Sequence, residues 1–349
     1  MLICSSVLNA FSISLAASAS PPSIALTKVS SASIFQSLLS VLTTFIIKLN
    51  SKNYTAEINL SRGANCISLK NKEYNANILR KPDYSKEIDN PFLYGMPILF
   101  PVNRISNGEF EFEGRKYTFP INELTTNCHL HGFLHTAKFE LVRKSESFVE
   151  CRYMSDELYK FFPHKFSVEI TYTLSENGLL QETCIYNLSD TNMPVFLGFH
   201  TTFNLPFVNG ASAENIYVLA EVGNEIERNI TNYLPTGKIL TCDDISQKLN
   251  RGEFQPFGNK ISKHYKAGND GRIEILDKEN RLRIVYENDK NFGWRLYYNG
   301  DADKFICLEP QTCMVNCQNS EFDRDFTGFT YIEPKSYKKY VSRIYIEEF

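Results

Sequence analysis

From about residue 54 onward, hydrophobic and polar residues alternate with a period of two. In "FSVEITYTL" (166–174), Phe166, Val168, Ile170, Tyr172 and Leu174 share one face, while Ser167, Glu169, Thr171 and Thr173 share the other. That pattern predicts a half-buried strand. Asn177-Gly178 follows as a hairpin signal, and "LLQETCIYNL" returns as the partner strand. The device recurs in "GEFEFEGRKYTF" (108–119), with Gly114 at the turn, in "GRIEILDKENRLRIVYE" (271–287) and in the tail "SYKKYVSRIYIEE". Helical periodicity is rare. "DDISQKLNRG" (243–252) predicts one helix, with an Asp cap at its start and a Gly just past its end. No internal repeat of roughly 20–50 residues emerges, and no Pro/Gly-rich linker divides the region. Many short strands joined by tight turns predict an all-β fold, a large antiparallel β-sandwich, forming one domain over residues 49–349.

Composition supports that reading. At 349 residues the chain has room for two domains, but sandwiches beyond about 200 residues are often single units. It is rich in Tyr (19) and Phe (26) with a single Trp, an aromatic load suited to pleated, half-buried surfaces. Net charge is −3, and the absence of any basic block or aromatic-basic stripe argues against a nucleic-acid partner. The nine cysteines are scattered with no C-x-x-C pair, which points to thiols in a reducing compartment, hence a cytoplasmic protein. Residues 1–48 differ from the rest: they are Ser/Ala-rich, with no Lys or Arg before Lys28. They read as an extension outside the fold. The basic start of a secretory signal is missing, although "AASAS" resembles a cleavage site and leaves a secreted form open. "IFQSLLSVLTTFII" (34–47) is too short to cross a bilayer comfortably, so no membrane partner is expected. Four N-x-S/T sequons, at Asn53, Asn59, Asn187 and Asn229, are expected by chance in so Asn-rich a chain.

Four stretches carry candidate chemistry. "FLGFHTTFNLPF" (196–207) sets His200 in an apolar run, either as a satisfied core imidazole or as an acid–base group. "FICLEPQT" (305–312) ends an apolar strand on Glu309, which Pro310 holds extended; partial burial would raise its pKa into the range of a general base. "GMPILFPVNRISNGEF" (95–110) interrupts apolar residues with Asn103 and Arg104. An Arg there needs acceptors, either a structural carboxylate or a polar substrate. "NCHLHGFLH" (127–135) holds His129, His131 and His135; on a strand the first two would point the same way at a usable metal-ligand spacing. No distant cluster obviously completes such a site, and no metal is expected. A neutral His donating a hydrogen bond to a polar ligand, or a core His beside an exposed one, fits as well. There is no G-x-S-x-G elbow, G-x-G-x-x-G or P-loop. A cofactor-free site with an acid, a base and hydrogen-bonding groups remains.

In that order, "GMPILFPVNRISNGEF", "LHGF", "LGFHTTFNLPF" and "LEPQT" resemble the aldose 1-epimerase (galactose mutarotase) family over everything except the first 50 or so residues. The resemblance implies a mutarotase-like sandwich and a cofactor-independent isomerase acting on the anomeric carbon of a small-molecule sugar. In such enzymes a Glu takes the proton of the C1 hydroxyl while a His protonates the ring oxygen. Carried over, Glu309 is the base and His200 the acid, paired as carboxylate and imidazolium. His131 donates near the ring oxygen, and Arg104, with Asn103 beside it, holds substrate oxygens. The family often has an acidic residue ahead of a His-aromatic pair, where this chain has Ser262 and Lys263 before His264 in "ISKHYKA". Lys263 is either a cation favouring a phosphorylated or acidic sugar or a solvated loop residue, and Trp294 either stacks on the sugar or belongs to the core. Free hexoses are the leading substrates. A hexose-6-phosphate 1-epimerase, a carbohydrate-binding domain without turnover, and a metal-dependent isomerase are the alternatives, in a monomer or homodimer.

Overall fold

The computed structural model describes residues 45–86, 88, 90–155, 161–300 and 304–349. Most of the leading Ser/Ala-rich segment lies outside these residues. Two eight-stranded sheets, antiparallel throughout, carry the architecture. The first runs, in spatial order, through Glu140–Lys144, Phe148–Met154, Phe166–Ser175, Gly178–Asn187, Tyr337–Glu348, Leu282–Asn288, Arg272–Asp277 and Ile216–Ala220. The second runs through Pro235–Leu240, Val222–Arg228, Ser262–Ala267, Trp294–Tyr298, Phe305–Gln311, Gly198–Phe199 and Ile98–Leu99, with Thr201–Asn204 also paired to Phe305–Gln311.

The alternation read from the sequence is visible strand by strand. Phe166, Val168, Ile170, Tyr172 and Leu174 are buried, while Glu169, Thr171 and Thr173 are half-exposed. Ser175 pairs with Gly178, so the turn itself is Glu176-Asn177, and Gly178 at φ +100° closes it. The other three hairpin and tail segments also form strands. The two sheets meet in one apolar core: Val168 and Ile170 of the first join Phe199, Ile306 and Leu308 of the second. A buried hydrogen bond between the Thr201 and Tyr286 hydroxyls (2.9 Å) bridges them.

Helix α1, Asp244–Arg251, forms where its caps were read: Asp243 accepts from the Ser246 N–H (2.7 Å), and Gly252 adopts the left-handed conformation. A second helix, α2, is a single turn at Arg324–Thr327. A smaller four-stranded sheet opens with Ile46–Asn50 paired to Tyr54–Asn59. This strand takes in Ile46–Lys48, which the sequence grouped with the leading extension. Only Leu49 of it is buried, so it carries no alternation to read. Among the described residues, no helix is long and apolar enough to cross a membrane.

The strand Phe305–Gln311 lies inside the second sheet, between Trp294–Tyr298 and the pair Gly198–Phe199 and Thr201–Asn204. Every one of its residues is buried, as expected for a strand with neighbours on both sides and layers on both faces. Gly198 pairs with Gln311, and Thr201 with Leu308, in one continuous register. That register sets His200 directly across from Glu309. The ladder is interrupted here because Pro310 has no N–H to give, and the His200 N–H donates instead to the Pro97 carbonyl (3.0 Å).

Candidate active site

A cavity of 390 Å³ opens over this interrupted ladder, within the usual size of small-molecule sites. All five residues singled out in the sequence line it: Asn103, Arg104, His131, His200 and Glu309. They come from four separate stretches of chain, brought together by strand register.

His200 and Glu309 form the centre. The imidazole Nε2 lies 3.2 Å from Glu309 Oε1, close enough to share a proton. The contact is not aligned as a hydrogen bond, and Oε1 has no other partner. Both atoms are therefore open to a third group; such pairs commonly tighten only when substrate is bound. Glu309 is 1 % exposed. Burial pushes its carboxyl up to about 8, against the Gln311 hydrogen bond and the charges of Arg228 and Arg104. Burial pushes His200 down to about 4. Both shifts favour the neutral forms, so at neutral pH the acid proton sits on Glu309. The imidazolium–carboxylate arrangement expected from the sequence holds the same number of protons, with one moved from Oε to Nε2.

A short relay orients the carboxyl. Gln311 Nε2 donates to Glu309 Oε2 (3.2 Å), and Asn103 Nδ2 donates to Gln311 Oε1 (3.1 Å). Asn103 is itself fixed, because its Oδ1 accepts the Arg104 N–H (2.9 Å) at a left-handed φ of +61°. Asn103 thus holds the base in place, two hydrogen bonds away, as well as facing the cavity.

His131 reaches the cavity by leaving its strand. The strand Cys128–Leu130 pairs with Arg104–Ser106, and then His131 and Gly132 both take φ near +60°. A Cβ on Gly132 would lie 1.9 Å from the Phe100 carbonyl oxygen, so only glycine permits the turn that delivers the His131 ring. The expectation that His129 and His131 share a face fails for this reason. His129 packs on Phe119, hydrogen-bonds to the Pro120 carbonyl (2.8 Å) and lines a different cavity. His131 meets His200 edge-on at 5.6 Å. Burial, then the charges around it, keep His131 neutral, well below its usual range. Among the described residues no three His, Cys, Asp or Glu side chains are grouped as metal ligands.

Arg104 has a structural partner inside the cavity. Its Nε and Nη2 each donate to Glu123 at 2.7 Å, a bidentate pair. Thr126 donates to the same carboxylate. Burial would raise Glu123, but these hydrogen bonds outweigh it and hold the carboxyl below its usual value.

Sequence reasoning missed Glu123, Gln311, Phe92, Tyr233 and Arg228. Gln311 stood inside a quoted motif and could have been found there. Phe92, on a one-turn 3-10 helix capped by Asn90, packs 4.8 Å from His131 and 5.9 Å from His200. Arg228 ends a strand whose polar residues gave no signal. Two readings that the sequence left open are decided. Lys263 is held by Glu225 (2.7 Å) and Asp243 (3.1 Å) and does not line the cavity, although its neighbour Ser262 does. Trp294 is fully buried, with Nε1 donating to the Phe326 carbonyl (3.3 Å), so it is core and offers no face to a sugar. His264, also fully buried, packs edge-on against it at 5.2 Å.

Comparison with known proteins agrees with this fold. A galactose mutarotase-like protein from Clostridium acetobutylicum superposes with a TM-score of 0.83 at 29% identity, covering 87% of this chain and 95% of that one. The galactose 1-epimerase of Lactobacillus acidophilus has the same fold, at a TM-score of 0.63 and 17% identity over 87% of this chain and 94% of its own. In sequence, the uncharacterised Escherichia coli protein YihR is 24% identical over 68% of this chain and 76% of its own length. The sequence model of the aldose 1-epimerase family matches residues 46–329, the span holding the second sheet, all of the first except Tyr337–Glu348, and all five site residues, and the chain belongs to that family.

Proposed function

We propose that the protein is an aldose 1-epimerase that interconverts the α and β anomers of a hexose by acid–base ring opening, with residues 49–349 as its catalytic domain. The observation that carries this is the buried His200–Glu309 pair, 3.2 Å apart across one interrupted strand ladder. Glu309 removes the proton of the C1 hydroxyl, and His200 gives one to the ring oxygen as the C1–O5 bond breaks and the C1 carbonyl forms. Rotation about C1–C2 and reversal of the two transfers close the other anomer. To begin, the shared proton must move from Glu309 to His200, a transfer between groups already in contact. A polar substrate favours it by giving the resulting charges hydrogen-bonding partners in place of the apolar wall. Neutral His131 donates towards the ring oxygen, and Arg104, steadied by Glu123, directs a guanidinium donor to substrate oxygens. No cofactor is required by this chemistry. The cysteines among the described residues are all free, which suits a reducing compartment such as the cytoplasm.

Polarimetry or anomeric NMR on freshly dissolved α-glucose, α-galactose and glucose 6-phosphate tests the proposal. Equilibration of at least one sugar faster than its spontaneous mutarotation is expected. Binding without acceleration of any would make the protein a carbohydrate-binding member of the fold instead.

A further inference from the structure

Two guanidinium groups face the cavity, and their charges are answered differently. Arg104 is clamped by Glu123 through two 2.7 Å hydrogen bonds. Arg228 has no carboxylate within ion-pair distance among the described residues. Its Nη2 donates to the Ser262 carbonyl (2.7 Å) and hydroxyl (3.1 Å), both neutral, and its Nε and Nη1 donate to nothing among the described residues. The two carboxylates nearest in sequence are engaged elsewhere: Glu227 accepts from Thr236 and lies 3.9 Å from the Lys238 ammonium, and Glu225 is taken by Lys263. The remaining acid lining the cavity is Glu309, which carries its proton at neutral pH. Glu123 cancels Arg104, the histidines are neutral, and the cavity is left with one positive charge, on Arg228.

A guanidinium partly removed from water without a counter-charge is costly. Burial, then the charge of Arg104, pulls Arg228 down to about 10, which still leaves it fully cationic at neutral pH. A planar fork with two free donor nitrogens, facing a sugar-sized cavity, matches paired oxyanion oxygens. We infer that the preferred substrate of this site is an anionic hexose, its phosphate or carboxylate received by Arg228. This rests on the epimerase reading of the site. It also reassigns the cationic role considered for Lys263, whose charge is spent on Glu225 and Asp243. The reaction needs a free C1 hydroxyl and an unsubstituted ring oxygen, so the anionic group sits on another carbon of the sugar.

The test compares kcat/KM for anomer exchange of glucose, glucose 6-phosphate and glucuronate by the full chain, alone and as Arg228→Gln and Arg228→Lys. Wild type is expected to prefer one of the two anionic sugars over glucose by at least ~10-fold, the scale of a charged hydrogen bond. Which one wins tells phosphate from carboxylate. In Arg228→Gln that ratio should fall to about one, and Arg228→Lys, a charge without the fork, should lie between. Inorganic phosphate should inhibit wild type competitively, a readout that needs no variant to fold. Turnover of glucose with no anionic preference and no inhibition by phosphate overturns the inference and leaves the epimerase reading standing. Equal slowing of neutral and anionic sugars by Arg228→Gln, with a moved alkaline pH limb, would make Arg228 a positioning charge for Glu309 and also overturn it. No acceleration of any sugar overturns both.

Discussion

His200 and Glu309 share one ionisable proton over the neutral range, and this fixes the pH behaviour expected of the site. Below about 4 the imidazole takes a second proton, and above about 8 the carboxyl loses its own. A bell-shaped kcat/KM profile with limbs near those values is expected; a profile flat from pH 5 to 9 would contradict the assignment. His200→Gln and Glu309→Gln should each lower kcat by ~10² or more, and the double variant should be little worse than the worse single, because the two act as a unit. Glu309→Gln should at the same time stabilise the protein. The folded carboxyl is raised from 4.5 to about 8 by burial, so its contribution is fully present below the ordinary value and is lost as pH rises through 8. Glutamine keeps the shape without the charge. Its melting temperature should exceed that of wild type at pH 8.5 by about 2 °C or more, with no gain at pH 4.5. At this scale the sequence was legible where a motif held the residue and silent where only register did. Arg228 and Glu123 lie on polar segments indistinguishable from any solvated edge, and their roles come from a strand end and from a single bridge to Cys128 that carry them to the cavity.

At the scale of elements, hydrophobic alternation was a sufficient guide to strands with one buried face, and capping residues were a sufficient guide to helix α1. Alternation failed where a strand ends. His129 and His131 look like same-face neighbours, but the chain turns left-handed after Leu130, and the two rings part. Gly132 is the mark of that turn, and it gives a prediction. Gly132→Ala sets a Cβ 1.9 Å from the Phe100 carbonyl oxygen, backbone that cannot swing aside. It should cost about 2 kcal/mol or more of stability, and it should lower kcat/KM per folded molecule by displacing His131. Gly114→Ala is the contrast: φ is also positive, +73°, but nothing lies within 4 Å of the new Cβ. The cost there should be about 1 kcal/mol, the left-handed penalty alone, with kcat/KM unchanged. Denaturant melts and kinetics on both variants check this; equal losses would mean that the close approach at Gly132 has no bearing on the fold or the site.

For the whole molecule, burial of polar groups against the two sheets sets how stability depends on pH. The chain has six histidines, and burial lowers every one of them: His129, His131, His135, His164, His200 and His264. Unfolded, each would take a proton near 6.5; folded, several resist until about pH 4. A lowered pKa contributes stability that is present above the unfolded value and lost as pH falls towards the folded one. Each histidine so placed adds up to about 1.4 kcal/mol per pH unit to the slope between roughly pH 6.5 and 4. Among the described residues two carboxyls that burial raises, Glu309 and Glu225, act in the opposite sense, but six groups outweigh two. Stability should therefore fall steeply from pH 7 to pH 5, well before ordinary carboxylates titrate. His164 isolates the cause, because it lies away from the catalytic cavity, with Nε2 hydrogen-bonded to the Tyr117 hydroxyl at 2.8 Å. His164→Gln should lower stability at pH 8 yet reduce the slope between pH 7 and 5 by about 1 kcal/mol per pH unit, the share of one histidine. Urea midpoints measured at half-unit steps of pH read both quantities on each protein. A wild-type curve level from pH 7 to 5, or a variant with an unchanged slope, would place the acid sensitivity of this fold elsewhere than in its buried imidazoles.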